Sequence, residues 1–142
     1  MPNTANVEWQ GNLEEGRGHF NTGSIEGEYS FKSRFEGEDD KGANPEQLIA
    51  AAHASCFSMA LSKALADHGH EPEVIQTTVD VTLKVVDGVP TITKAAISTV
   101  GKVPGIDAEH FAVHAQEAKD GCVVSRALAG VGEITLETDF DG

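Results

Sequence analysis

The chain has 142 residues, with 23 acidic against 10 basic side chains and a formal net charge of −13. That length suits one domain, residues 1–142, and an apolar share of 39% suits a globular core rather than a disordered chain. So acidic a composition excludes non-specific binding to nucleic acid or to anionic membranes, which needs Lys and Arg in quantity.

The most apolar stretch, residues 48–61, holds 11 apolar residues in 14 and is broken by His53, Ser55 and Ser58. It falls short of the ~18 uninterrupted apolar residues of a membrane span. The first residues have neither the basic nor the apolar segment of a signal peptide, so the expected location is the cytoplasm. Two cysteines, Cys56 and Cys122, are too few for a disulfide scaffold.

Residues 1–36 are predicted to form short strands. Ile25, Tyr29, Phe31 and Phe35 carry the apolar side, and Lys32, Arg34 and Glu36 alternate onto the other. Residues 36–42 read as a solvated turn. Asn44-Pro45-Glu46 is a helix start: Asn caps, Pro at the first helical position loses no hydrogen bond, and the acid meets the positive end of the dipole. The helix is expected to run to about Asp67 and stop at Gly69. Its middle is apolar nearly all round, which places it at the centre of something. The chain is short for covering it on every side, and a dimer follows as an expectation.

Residues 74–86 alternate, with Val79, Val81, Leu83 and Val85 on one face. Asp87-Gly88 is a hairpin turn and residues 91–100 the return strand. Asp107 opens a second helix to about Lys119, with Phe111, Ala115 and Ala118 on one stripe. Gly121 breaks it, residues 122–129 form a short third helix, and residues 132–140 a last strand. Hairpins dominate, which favours an α+β fold with an antiparallel sheet.

Chemistry could sit on the thiols. Cys56 lies mid-helix, about 12 residues beyond Asn44 and out of reach of the helix dipole, so its thiolate would need a cation from elsewhere. Cys122 follows Gly121 and opens a helix, and local physics nominates it as the more acidic thiol. Arg126 stands one turn after it. Arg34 on a strand's polar face reads as a solvated surface charge. His53 precedes Cys56 by three residues and either tunes the thiol or hydrogen-bonds within the core. His110 and His114 have the i, i+4 spacing of two ligands to one metal. The intervening Phe-Ala-Val lacks a metalloprotease glutamate, and surface histidines are the better reading. His68-Gly69-His70 falls in a polar loop. Phosphate-binding and nucleophile-elbow glycine motifs are absent.

The block Phe31-Lys32-Ser33-Arg34-Phe35-Glu36-Gly37, followed by Asn44-Pro45-Glu46 and by His53-Ala54-Ser55-Cys56, closely resembles the OsmC branch of the OsmC/Ohr family. These are osmotically inducible and organic-hydroperoxide-resistance proteins. Val103-Pro104-Gly105-Ile106-Asp107 and Gly121-Cys122-Val123-Val124-Ser125-Arg126 match the same branch in order and spacing, and the likeness covers essentially the whole chain. It implies an intertwined homodimer of OsmC-like α+β fold, with sheets wrapped around central helices. The activity it implies is a thiol peroxidase reducing organic hydroperoxides, and hydrogen peroxide less well.

By the same resemblance Cys56 is the peroxidatic and Cys122 the resolving cysteine. Arg34 is the active-site arginine, and Glu46 the acid that holds it. Val123 departs from the proline that many relatives carry there. No cofactor and no metal are implied. The implied partners are a second copy, an organic hydroperoxide and a dithiol reductant of dihydrolipoyl type, with no nucleic acid and no membrane. Glu46 and Cys56 are ten residues apart on one helix, about 15 Å of rise, so Glu46 is expected to reach the site from the partner chain. A non-catalytic small-ligand-binding protein on the same dimeric scaffold is the competing reading, and its thiols would be unreactive.

Overall fold

Two three-stranded sheets and one long helix carry the fold in the computed structural model, which describes residues 2–36 and 42–142. The chain divides into two compact units, Met1–Leu48 and Ile49–Gly142.

The first unit opens on an antiparallel meander of β1 (Asn6–Gln10), β2 (Arg17–Thr22) and β3 (Ile25–Tyr29), in that order. Phe20 is its buried apolar anchor. Residues beyond Tyr29 do not continue as a strand. Phe31–Phe35 is a short helix, α1. Ser30 takes an extended backbone, its side chain accepts the Ser33 N–H at 3.1 Å, and Ser33 Oγ accepts the Ser30 N–H at 2.8 Å. That reciprocal cap nucleates a helical turn, and it overrides a polar–apolar alternation only six residues long. Arg34 therefore stands on a helix rather than on a strand. Of the turn expected over residues 36–42, residues 37–41 lie outside the described residues.

Helix α2 spans Pro45–Asp67, the predicted bounds. Asn44 Oδ1 accepts the Gln47 N–H at 2.8 Å, and Asn44 Nδ2 donates to the Ser33 carbonyl at 3.2 Å. At the other end the His70 N–H reaches the Leu65 carbonyl and the Gly69 N–H the Ala66 carbonyl, with Gly69 at φ +84°. That is a Schellman turn, and only glycine takes its left-handed position without strain.

In the second unit, β4 (Val74–Val86) and β5 (Val89–Lys102) form a long antiparallel hairpin. Its turn places Asp87 at φ 51° and Gly88 at φ 79°, the pair of left-handed residues that a two-residue hairpin requires. The predicted alternation along β4 holds only in part. A register shift falls between Thr82 and Leu83, and Val85 beyond it is exposed. The last strand, β6 (Glu133–Phe140), pairs with β5 in parallel. Strands running the same way need a crossover, which α3 (Ala108–Gly121) and α4 (Val123–Ala127) supply. The sheet is thus antiparallel on one side of β5 and parallel on the other.

Phe57, Leu61 and Leu65 recur every fourth residue along α2 and are fully buried against Ala95 and Ile97 of β5 and Phe111, Ala115 and Ala118 of α3. Helix α2 is long enough, and over an 18-residue window apolar enough, to cross a membrane, which the shorter stretch read from the sequence did not suggest. The buried stripe makes it the core helix of its unit. A chain of hydroxyls ties it to the sheet: Ser58 Oγ donates to Thr77 Oγ1 at 2.8 Å, and Thr77 meets Thr99 at 3.0 Å.

The ring of Phe111 lies over Gly101, where a Cβ would stand 2.2 Å from its Cε1 atom. Gly101→Ala is expected to lower stability by about 1–3 kcal/mol through overpacking, read as a lower urea midpoint at unchanged slope. An unchanged midpoint would mean that α3 moves off the sheet freely.

Candidate active site

Helix α3 ends and α4 begins on the same residue. Cys122 has φ −63° and ψ 125°; its N–H closes α3 on the Ala118 carbonyl at 2.9 Å, and its carbonyl opens α4 by accepting the Arg126 N–H at 3.0 Å. One extended residue between two helices leaves the first N–H groups of α4 without partners inside the helix. Those of Val123 and Val124 lie beside the thiol of Cys56, half-buried on α2, and favour its thiolate. The Cys122 side chain favours the same thiolate. Both cysteines are free thiols, and Cys122 is buried.

Burial pushes the Cys56 thiol up. The Val124 N–H, the Cys122 thiol and the Val123 N–H act the other way and outweigh it, so its pKa lies below the ordinary thiol value. This corrects the sequence reading of the two cysteines. The start of α4 serves Cys56, brought to it by the fold, and not Cys122, whose side chain makes no capping bond to the helix it precedes. A thiol mid-way along one helix gains the exposed amides of another, which spacing along the chain does not reveal. Arg126, offered as a neighbour of Cys122, is exposed on α4.

His53 lies one turn before Cys56 and is fully buried. Its Nε2 meets Ser125 Oγ at 2.7 Å, a bond that ties α2 to α4 beside the cysteines. Burial lowers the His53 pKa, so the ring is neutral near pH 7. Of the two readings of His53, hydrogen bonding within the core is the one observed, and Ser125 is the partner that the sequence did not single out.

In the first unit Arg34 and Glu46 form a bidentate pair. Arg34 Nη2 stands 2.8 Å from Glu46 Oε1, and Arg34 Nε lies 3.1 and 3.3 Å from the two carboxylate oxygens. The Glu46 side chain is 9% exposed and that of Arg34 38%, while the guanidinium lies over the Phe35 ring at 5.1 Å. Arg34 is therefore exposed, as read from the sequence, but held by Glu46 rather than free in solvent. A fork-to-fork pair fixes the plane of the guanidinium and leaves its remaining N–H groups for another acceptor. Glu46 holds the arginine of its own chain, so this pair needs no carboxylate from a partner.

The His110–His114 pair does not form a common face. His110 Nδ1 stands 2.6 Å from the helix cap Asp107, whose hydrogen bond raises the His110 pKa, while His114 turns into the core.

The family model described as OsmC-like protein matches residues 37–137. The chain belongs to the OsmC family. It is 49% identical over 132 residues to peroxiredoxin OsmC of Escherichia coli, covering 91% of this chain and 90% of that protein. It is 35% identical over 105 residues to the organic hydroperoxide resistance protein-like 1 of Staphylococcus saprophyticus, covering 71% and 72%. The fold is that of an OsmC-like protein from Mycoplasma pneumoniae, with a TM-score of 0.77 at 11% identity over 99% of this chain and 97% of the other. It is likewise that of OhrB from Bacillus subtilis, with a TM-score of 0.69 at 23% identity over 97% and 98%. Likeness to a peroxiredoxin over nine-tenths of both chains supports a peroxidase-type oxidoreductase.

Val123 gains meaning from this geometry, because a proline in its place would have no N–H to donate. Val123→Pro keeps a residue type that the first helical position accepts and removes one donor from the Cys56 sulfur. The pH profile of Cys56 alkylation is expected to move to higher pH with helix content unchanged. An unmoved profile would remove the Val123 amide from the account.

Proposed function

We propose that this OsmC-family chain is a two-cysteine peroxidase that reduces organic hydroperoxides, and hydrogen peroxide more weakly, to alcohols. The observation that carries the proposal is the environment of Cys56 at the start of α4, where the Val124 amide, the Cys122 side chain and the Val123 amide hold its pKa below the ordinary thiol value. These groups favour the thiolate, which is the nucleophile, and a second thiol acting on the first supports Cys122 as the resolving cysteine.

The Cys56 thiolate attacks the distal oxygen of ROOH. The O–O bond breaks, the leaving alkoxide takes a proton to become the alcohol, and Cys56 is left as the sulfenic acid. The Cys122 thiol then attacks that sulfur, water leaves, and a Cys56–Cys122 disulfide forms. A dithiol, of the dihydrolipoyl type, reduces the disulfide and is itself oxidised to a cyclic disulfide. Such a cycle needs a compartment that supplies dithiols, in keeping with the cytoplasm.

Arg34, oriented by Glu46, binds the hydroperoxide oxygens and stabilises the developing alkoxide. It does so in a homodimer, where the Arg34–Glu46 pair of one chain faces the Cys56 of its partner. Two observations support that arrangement. Ten residues of α2, about 15 Å of helical rise, separate Glu46 from Cys56. In the second unit Met59 of α2 is exposed, as are Val85, Val86 and Val89 at the tip of the β4–β5 hairpin, apolar side chains of the kind a second copy would cover.

The test is consumption of cumene hydroperoxide with dihydrolipoamide. Wild type is expected to turn over, Cys56→Ser to be inactive, and Cys122→Ser to stall after about one turnover with a weak dithiol. Arg34→Ala is expected to lose about 10²-fold in kcat/KM, the scale of removing one donor from a developing oxyanion. Refolding Cys56→Ser chains together with Arg34→Ala chains should restore activity, since one site of the mixed dimer then holds both intact residues. Failure to restore it places Arg34 and Cys56 of one chain in one site. No peroxide consumption by wild type with any dithiol overturns the enzyme reading and leaves a ligand-binding protein.

A further inference from the structure

A second cluster of chemically able side chains lies apart from the cysteines. His68, His114 and Glu117 each offer a donor atom, and these atoms all lie within 4.8 Å of one another. We propose that they bind one divalent transition ion of the zinc class.

Each donor is set by the local fold. His68 closes α2 in the Schellman turn that Gly69 makes possible. Its Nδ1 lies 2.9 Å from the Ala64 carbonyl. A carbonyl can only accept, so Nδ1 carries the proton and Nε2 presents a lone pair. A backbone carbonyl fixing the tautomer of a ligating histidine is the usual outer support of such a site. His114 and Glu117 are neighbours at i, i+3 on α3. The His114 residue is 93% buried by its 7% exposure, and its Nδ1 has no hydrogen-bond partner. A buried ring nitrogen without a partner calls for an explanation, and an ion supplies one.

The distances suit a metal better than a hydrogen bond. His114 Nδ1 stands 3.6 Å from Glu117 Oε2, too far for a hydrogen bond. Two ligands bound at about 2.0–2.1 Å in tetrahedral geometry are about 3.4 Å apart. The rings of His68 and His114 have centroids 4.5 Å apart, and a small rotation of the exposed His68 and Glu117 side chains closes the set. Two imidazoles and one carboxylate suit Zn²⁺, Co²⁺ or Ni²⁺, and offer too few oxygens for Ca²⁺ or Mg²⁺. Both exposed ligands face solvent, which leaves the fourth position to water. The ion would clamp the end of α2 to α3, the helix that runs on to Cys122. Of His110 and His114, read from the sequence as surface histidines, the buried His114 contributes and His110 does not, because Asp107 engages it.

The test is Co²⁺ and Zn²⁺ binding to the reduced full-length protein, read by calorimetry, visible absorption and thermal unfolding. One ion per chain is expected, with tetrahedral Co²⁺ bands, no thiolate-to-cobalt charge-transfer band, and a raised unfolding midpoint. His68→Ala and Glu117→Gln change exposed residues and are each expected to weaken binding by about tenfold or more. His110→Ala and the double variant Cys56→Ser/Cys122→Ser are expected to bind as wild type does. Absence of stoichiometric binding overturns the site. Binding that survives His68→Ala and Glu117→Gln, or that disappears with the cysteines, overturns it equally.

Discussion

For one residue, Cys122, the backbone leaves the helical region, and the environment of Cys56 depends on that break. Had α3 run on into α4 as a single helix, the amides of Val123 and Val124 would have been consumed by carbonyls one turn earlier. The break frees them, and the packing of α2 against α3 brings the Cys56 sulfur to where they point. The same break turns the Cys122 thiol toward Cys56. The amides and the thiol that favour the Cys56 thiolate are thus two results of one backbone conformation. The His53–Ser125 bond keeps α4 from drifting off α2, and a neutral buried ring makes that bond without the cost of burying a charge.

The Arg34–Glu46 pair shows the same economy. Glu46 occupies the first turn of α2, where a carboxylate is favoured by the helix dipole, and the cap residue Asn44 reaches back to the Ser33 carbonyl of the segment that carries Arg34. The residues that start the long helix also hold the guanidinium. An arginine fixed in this way is preorganised, which is what the role proposed for it requires of a group facing a developing negative charge.

Local signals in the sequence were enough for much of this. Asn44-Pro45-Glu46 and Gly69 mark the ends of α2 to the residue, because caps act within one turn of where they stand. Asp87-Gly88 marks the hairpin for the same reason. Three features were not legible. The Ser30–Ser33 cap lacks the usual acid at its third position, and alternation across Phe31–Phe35 concealed a helix. The parallel pairing of β6 depends on where a crossover delivers the strand, which no local pattern encodes. The environment of Cys56 is assembled from α4, more than sixty residues later in the chain. A reading confined to neighbours in sequence therefore assigned the helix start to the wrong thiol. The roles of Cys56, Cys122, Arg34 and Glu46 came from a resemblance, and the geometry adds a physical reason for the first of them.

The measurement that tests this account most directly is the ultraviolet titration of the thiolate in Cys122→Ser. That variant has a single cysteine and retains a hydroxyl donor in place of the thiol, so the signal belongs to Cys56 alone. A midpoint below the ordinary thiol value is expected, because the groups at the start of α4 outweigh the burial of Cys56. A midpoint at or above that value would mean that desolvation wins, and that the start of α4 does not hold a reactive thiolate.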